Sequence, residues 1–158
     1  MSFLFHQNHD VSVVEPFTAD GTSALTTTAI DMAGYDQLTL AIVLGDVDAA
    51  AVLTCAVFTV ATNAVTGGAA VTLTDVSATG GVITSGNLVL TEDSGNLDNK
   101  VVTITIDRSV IASRYVYMVI TPTVESLELG CVLAIRSCAR DLPVTQGSTN
   151  IGYAFASA

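Results

Sequence analysis

The sequence predicts an all-β protein, a single-domain β-sandwich or jelly-roll-like barrel with extended N- and C-terminal arms. Three observations carry that expectation. Apolar residues recur with a period of two in many short stretches, as in a pleated strand with one face inward. Those stretches are rich in Val, Ile, Thr and Tyr, which fit a half-buried sheet, and Gly, Asp, Asn and Ser punctuate them at short intervals. No stretch shows convincing helical spacing, and the whole implies about 8 to 10 strands.

Taken in order, residues 1–10 begin with the apolar Phe3-Leu4-Phe5, pass to His6-Gln7-Asn8-His9-Asp10 and show no periodicity. They read as an N-terminal arm. Residues 11–15 alternate weakly and stop at Pro16; Asp20-Gly21 reads as a turn, and the threonine-rich 23–30 as one short strand. After a corner at Gly34-Tyr35-Asp36, Leu38, Leu40, Ile42 and Leu44 oppose Thr39, Ala41 and Val43, which makes 37–44 a strand. The segment Gly45-Asp46-Val47-Asp48 is expected to turn the chain into 51–61, a strand apolar on both faces and hence central.

Further on, 70–76, 82–84 and 87–91 are short strands marked off by Gly67-Gly68, Gly80-Gly81 and Gly86. The acidic loop 92–99 delivers 100–107, whose inward face is Val102, Ile104 and Ile106, and 108–113 is at most a connecting helical turn. In 114–122, Val116, Met118 and Ile120 share one face while Tyr115, Tyr117, Val119 and Thr121 share the other, so this strand is expected to be central and to end at Pro122. Glu125 and Glu128 flank a turn, and 129–139 alternates Cys131, Leu133 and Ile135 against Val132, Ala134 and Arg136, with Arg136 marking the wetter face. The domain proper is thus 11–143, and 144–158, with Tyr153 and Phe155 near its end, is a C-terminal arm.

Composition narrows function. With 158 residues the chain fits one domain with a single core. Half of the residues are hydrophobic, only 13% are charged and tryptophan is absent, so the surface must be built largely from Thr, Ser, Ala, Gly and Asn. That suits a protein packed against neighbours. A formal charge of -10, with Lys100, Arg108, Arg114, Arg136 and Arg140 the sole fixed cations, repels a polyphosphate backbone and argues against direct nucleic-acid binding. Mean hydropathy is +0.59, yet the longest apolar run, from 49 to 61, is interrupted by Thr54 and Thr59 and is too short to span a bilayer as a helix. The first six residues lack a basic region and a long apolar stretch, so no signal peptide is expected. Cys55, Cys131 and Cys138 have no CxxC spacing and read as three reduced, packed thiols.

Candidate chemistry is sparse. The sole histidines, His6 and His9, sit in the arm, which leaves a nucleophilic triad without a general base, and no GxSxG elbow is present. Asp46 with Asp48, and Glu92 with Asp93 and Asp98, are carboxylate sets in apparent turns, where Asp serves the backbone. The run Asp93-Ser94-Gly95-Asn96-Leu97-Asp98 offers oxygen ligands for a calcium ion, but its glycine is misplaced for an EF-hand loop and no bidentate glutamate closes it. Tyr115 and Tyr117 on one strand face could stack a sugar; the alternative is packing under a loop or a neighbouring subunit. No catalytic, metal or cofactor-binding residue is expected, and the chain is read as a non-enzyme.

Three pieces together resemble a known class. They are Ile30-Asp31 leading into Gly34-Tyr35-Asp36-Gln37-Leu38-Thr39-Leu40 and the Leu44-Gly45 turn, then Arg114-Tyr115-Val116, then Arg140-Asp141-Leu142-Pro143-Val144. This pattern resembles the small virion proteins that tailed bacteriophages and prophages encode beside their head genes. The resemblance implies a capsid decoration or cement protein, a β-sandwich on the outer capsid surface that bridges and stabilises capsomers. It further implies the major capsid protein and other copies of itself as partners, as a trimer or dimer, with assembly in the host cytoplasm and no membrane. No site residue carries over from that class; read from the residues themselves, Phe3, Leu4, Phe5, Tyr153 and Phe155 are expected to be interface residues on the arms, and Arg114, Tyr115 and Tyr117 structural, Arg114 pairing with Asp107 or Asp36 at a corner. A host- or glycan-binding module of a head fibre or tail is the competing class.

Overall fold

The computed structural model describes residues 9–75, 81–123 and 127–139. In chain order the strands are β1 (Asp10–Glu15), β2 (Thr18–Gly21), β3 (Leu25–Thr26), β4 (Ile30–Asp31), β5 (Tyr35–Val47) and β6 (Val52–Val60). They continue with β7 (Ala69–Val71), β8 (Gly81–Thr84), β9 (Asn87–Thr91), β10 (Val101–Asp107), β11 (Tyr115–Thr123) and β12 (Leu127–Ala139). A single 3₁₀ turn, Arg108–Val110, connects β10 to β11, and no α-helix occurs among the described residues.

Two antiparallel sheets pack face to face as a β-sandwich. One runs β1-β12-β5-β10 with β2 also on β12; the other runs β3-β11-β6-β9-β8 with β4 on β11 and β7 on β6. The long strands β5 and β11 form the middle of the core because each has an unbroken inward row. Leu38, Leu40, Ile42 and Leu44 from β5 and Val116, Met118 and Ile120 from β11 are each no more than 2% exposed. Leu53, Cys55 and Val57 of β6, Leu88 and Leu90 of β9, and Val132 and Ala134 of β12 complete the same cluster. The central placement of β6 and β11 agrees with their two apolar faces.

Where the structure departs from the sequence expectations, a local physical reason is visible. The strand expected over 23–30 is split into β3 and β4 by Thr27, which is 1% exposed. Its Oγ1 accepts from the Met118 N–H and its own N–H donates to the Met118 carbonyl, both at 3.0 Å, so a side chain replaces a ladder acceptor. The same contacts turn the backbone groups of even-numbered β11 residues toward β3 and β4. Pro122 therefore does not end β11: its missing N–H would face an edge where β3 has already stopped, and it keeps its place opposite Leu53.

Gly45 is likewise not a turn residue. β5 continues through it to Val47 by bulging against β12, with Leu44 opposite Leu129 and Val47 opposite Leu127. A Cβ on Gly45 would lie 2.9 Å from the Glu128 side chain, so glycine admits the bulge. Asp20-Gly21, read as a turn, belongs to β2, Glu128 lies in β12, and Asp10, read as arm, opens β1.

Arg136 is the clearest inversion. Its face of β12 is the core face, since Val132 and Ala134 are fully buried, while Leu133 and Ile135 point outward and are half-buried. The thiols also divide. Cys55 is buried, which pushes its thiol up to about 12, but Cys131 is half-buried and Cys138 is exposed. The expectation of three packed thiols thus holds for Cys55 alone.

The core assignment has a direct consequence. Met118→Ala is expected to lower unfolding stability by about 2–5 kcal/mol in a denaturant titration, as for other fully buried long side chains. Val119→Ala, one residue away on the outward face, is expected to cost under about 1 kcal/mol.

Candidate functional site

The two outward faces of the sandwich are the most distinctive surface. On the four-stranded path, successive cross-strand rows read Val11, Ile135, Thr39, Thr105, then Val13, Leu133, Ala41, Thr103, then Cys131, Val43, Val101. None carries a charge, and Val13 and Val101 are 52% and 59% exposed. The opposite face repeats the pattern with Tyr117 beside Phe58, Val119 beside Ala56, and Thr121 beside Thr54 and Val89. The chain has placed its β-formers outward as well as inward.

Charge is displaced to the two ends of the strands. Asp46, Asp48, Glu92, Asp93, Asp98 and Glu128 gather where β5 ends and β12 begins, with Lys100 the fixed cation there among the described residues. Arg108, Arg114 and Arg136 lie at the other end. There the geometry is built on Asp31. Arg114 donates to its carboxylate in a two-pronged pair, Nε to Oδ1 at 2.8 Å and an NH2 group to Oδ2 at 2.6 Å. The same Oδ1 accepts from the Ala33 N–H at 2.9 Å, tightening the corner at Gly34, whose φ is +83°.

Arg114 therefore pairs with neither Asp107 nor Asp36. β4 lies on β11 with Asp31 opposite Tyr115, one residue from Arg114, whereas Asp107 caps the 3₁₀ turn through the Ser109 N–H at 2.8 Å. The Arg114 hydrogen bond holds the Asp31 carboxyl below its ordinary value, and Asp31 in turn raises the Arg114 guanidinium. The Arg114 guanidinium also lies 5.2 Å from the centre of the Tyr115 ring.

Arg136 ties a second element to the same place. It donates to the Asp31 carbonyl at 2.7 Å, stacks 4.8 Å over the Tyr35 ring and forms an ion pair with Asp10, which is 1% exposed. Burial lowers its affinity for the proton, and its Nε is buried with no hydrogen-bond partner. Asp31 and Arg136 were not singled out as site residues in the sequence, and no local signal marks them, because their partners are 83 and 105 positions away from Asp31.

The other candidates resolve as structural groups. Tyr117 is 4% exposed, stacked on Phe58 at 5.2 Å, and its hydroxyl accepts from the Gly68 N–H at 3.3 Å. It packs under a loop and presents no open ring to a sugar. In the acidic loop, the Glu92 carboxylate accepts the Gly95, Asn96 and Leu97 amides, the last at 2.7 Å, and Asp98 accepts the Val47 N–H at 3.0 Å. These carboxylates hold the loop's backbone, and among the described residues no three His, Cys, Asp or Glu side chains are grouped to hold a metal. Phe3, Leu4, Phe5, Tyr153 and Phe155 lie outside the described residues.

No protein-family model matches the chain, and no curated protein matches it. Among solved structures it is similar to the infectious bursal disease virus VP2 subviral particle, at 14% identity and a TM-score of 0.23. That alignment covers 84% of this chain and 39% of the VP2 chain.

Two outcomes test the Asp31 corner. Because the Asp31 carboxyl is depressed in the folded protein, its pairing stabilises fully above the unfolded value of about 3.9 and is lost as pH falls through the lower folded value. Arg114→Ala should therefore lower the melting temperature at neutral pH, with the gap to the parent chain closing under acid. Asp10→Ala leaves Arg136 without its buried partner and is expected to cost about 3 kcal/mol in chemical denaturation.

Proposed function

We propose that this protein is a structural component of a tailed-bacteriophage virion, a decoration or cement protein that binds the outer capsid surface and bridges and stabilises capsomers. The observation that carries the reading is the absence of charge, among the described residues, from the middle rows of both broad faces of the sandwich. A surface that meets several neighbours must lose its water, which costs several kcal/mol for an unpaired ion and little for Val, Ala or Thr. The acidic end and the formal charge of -10 keep the protein off packaged nucleic acid and disfavour contact between like ends.

On this reading the mechanism is thermodynamic and no bond is made or broken. A protein that binds an assembled shell, and not its dissociated parts, stabilises the shell by mass action, by about 2.7 kcal/mol per site at a hundred times the dissociation constant. The partners are the major capsid protein and further copies of this chain, as dimer or trimer, in a virion assembled in the host cytoplasm. The glycan-binding alternative finds less support, since the ring and hydroxyl of Tyr117 are already engaged by Phe58 and Gly68.

Purified shells from the parent particle, stripped and re-mixed with the protein, supply the test. Saturable binding with a rise in shell melting temperature that grows with protein concentration is expected. Shells that neither bind the protein nor change their melting would overturn the proposal.

A further inference from the structure

Among the described residues β10 is an edge strand open along its length. It follows β5 over seven residues, Val101 opposite Val43 to Asp107 opposite Gln37, without a bulge, and no described strand lies on its other side. The Leu44 N–H donates to the Lys100 carbonyl at 2.8 Å, which sets the phase. Even-numbered residues therefore turn their backbone groups toward β5, and Val101, Thr103 and Thr105 turn theirs to the open side. From 101 to 106 the strand has neither a proline nor a charge of the kind that blocks pairing at natural edges.

A cleft of about 480 Å³ runs beside this edge, walled by Val102, Ile104 and Ile106 and by Leu73, Ile83 and Leu88. Asp75 and Asp107 also line it, and both are exposed. The edge is thus suited to an extended segment that brings apolar residues at every second position together with a cation. Residues 141–158 of the chain hold no lysine or arginine, so the chain's own tail supplies no such charge. β10 itself has both parts, in Val102, Ile104 and Ile106 and in Lys100 at its start.

We propose that β10 of a second copy pairs with this edge antiparallel about a two-fold axis at Thr103, joining the β1-β12-β5-β10 sheets of two copies into one. Thr103 then faces Thr103 of the second copy, and Val101 faces Thr105 on either side, each pair exchanging two backbone hydrogen bonds. On the inner face Val102 meets Ile104 of the second copy, and the two apolar rows close the mouths of both clefts. Charge selects the direction and the register. Antiparallel pairing sets the acidic end of one sandwich beside the Arg108 and Arg114 end of the other, bringing Asp98 level with Arg108 and Lys100 within one position of Asp107. An axis at Ile104 would instead set Lys100 opposite Arg108, and like charges directly opposite repel. An axis at Val102 would set Thr105 opposite Asn99, which has a φ of +53° and lies outside the strand. The inference deepens the assembly reading above by naming the surface through which copies of the chain meet; its test uses no shells, so a chain that fails it and still binds shells leaves that reading standing.

The test measures molar mass by light scattering on the full chain and its variants. Thr103→Pro removes the central donor while sparing the β5 ladder, because the Thr103 N–H points away from β5. Thr103→Lys sets two like charges face to face across the axis and serves should the proline interfere with folding. The parent chain is expected at twice its 16.2 kDa and both variants at 16.2 kDa. Register is read by cross-linking under mild oxidation. Thr103→Cys places two thiols on facing residues with Cα atoms about 5.5 Å apart and is expected to give a linked dimer, whereas Thr105→Cys, about 13 Å from its counterpart, is expected to give none. Peptide mapping separates the 103–103 bond from any linkage through the exposed Cys138. A monomeric parent chain, whether its edge is open or covered by its own tail, would overturn the proposal. So would a dimer whose mass survives both Thr103 substitutions, or one that links through Thr105→Cys and not through Thr103→Cys.

Discussion

A sheet in a two-layer sandwich can bury only one face inside, and among the described residues the middle rows of the other face carry no charge, Asp107 lying at a strand end. The rest of the architecture follows from that constraint. Inward rows on β5, β6, β11 and β12 supply a continuous core, while Val, Ala, Thr and aromatic residues on the outward rows neither need water nor repel it strongly. Charge is then confined to strand ends and loops, where carboxylates act on nearby backbone amides, as Glu92 does for three of them. A surface patterned this way is suited to contact over wide areas.

The end built on Asp31 shows how the sandwich is closed. One residue uses its carboxylate for Arg114 and its carbonyl for Arg136, and so joins β4, β11 and β12 across both sheets. Thr27 and Pro122 act along the neighbouring edge, one replacing a ladder acceptor with its hydroxyl and the other sitting where no ladder bond is required. Among the described residues the opposite edge, β10, has no such closure.

Strand existence was largely readable from the sequence because period-two alternation is local. β9 matches its expected bounds, and β6, β10 and β11 match within about two residues at either end. What escaped depends on distant partners. The passage of β5 through Gly45 requires the bulge against Leu127 and Leu129, and the inward direction of Arg136 requires Asp10 and Tyr35. A lone arginine in an alternating strand reads as solvent-facing, since an isolated buried charge is costly; only its partners reverse that reading. Arg114 was correctly placed at a corner but given the wrong carboxylate, because the β4–β11 register that brings Asp31 to it leaves no local mark.

The central claim is that the surfaces left uncharged, with the β10 edge beside them, serve assembly. Residue-resolved amide hydrogen exchange, on the separated and the assembled protein, tests it most directly. The account predicts that Val101, Thr103 and Thr105 exchange rapidly when the protein is separated and become protected on assembly, while Val102, Ile104 and Ile106 are protected in both states. Equal exchange of all six amides in the two states would contradict it.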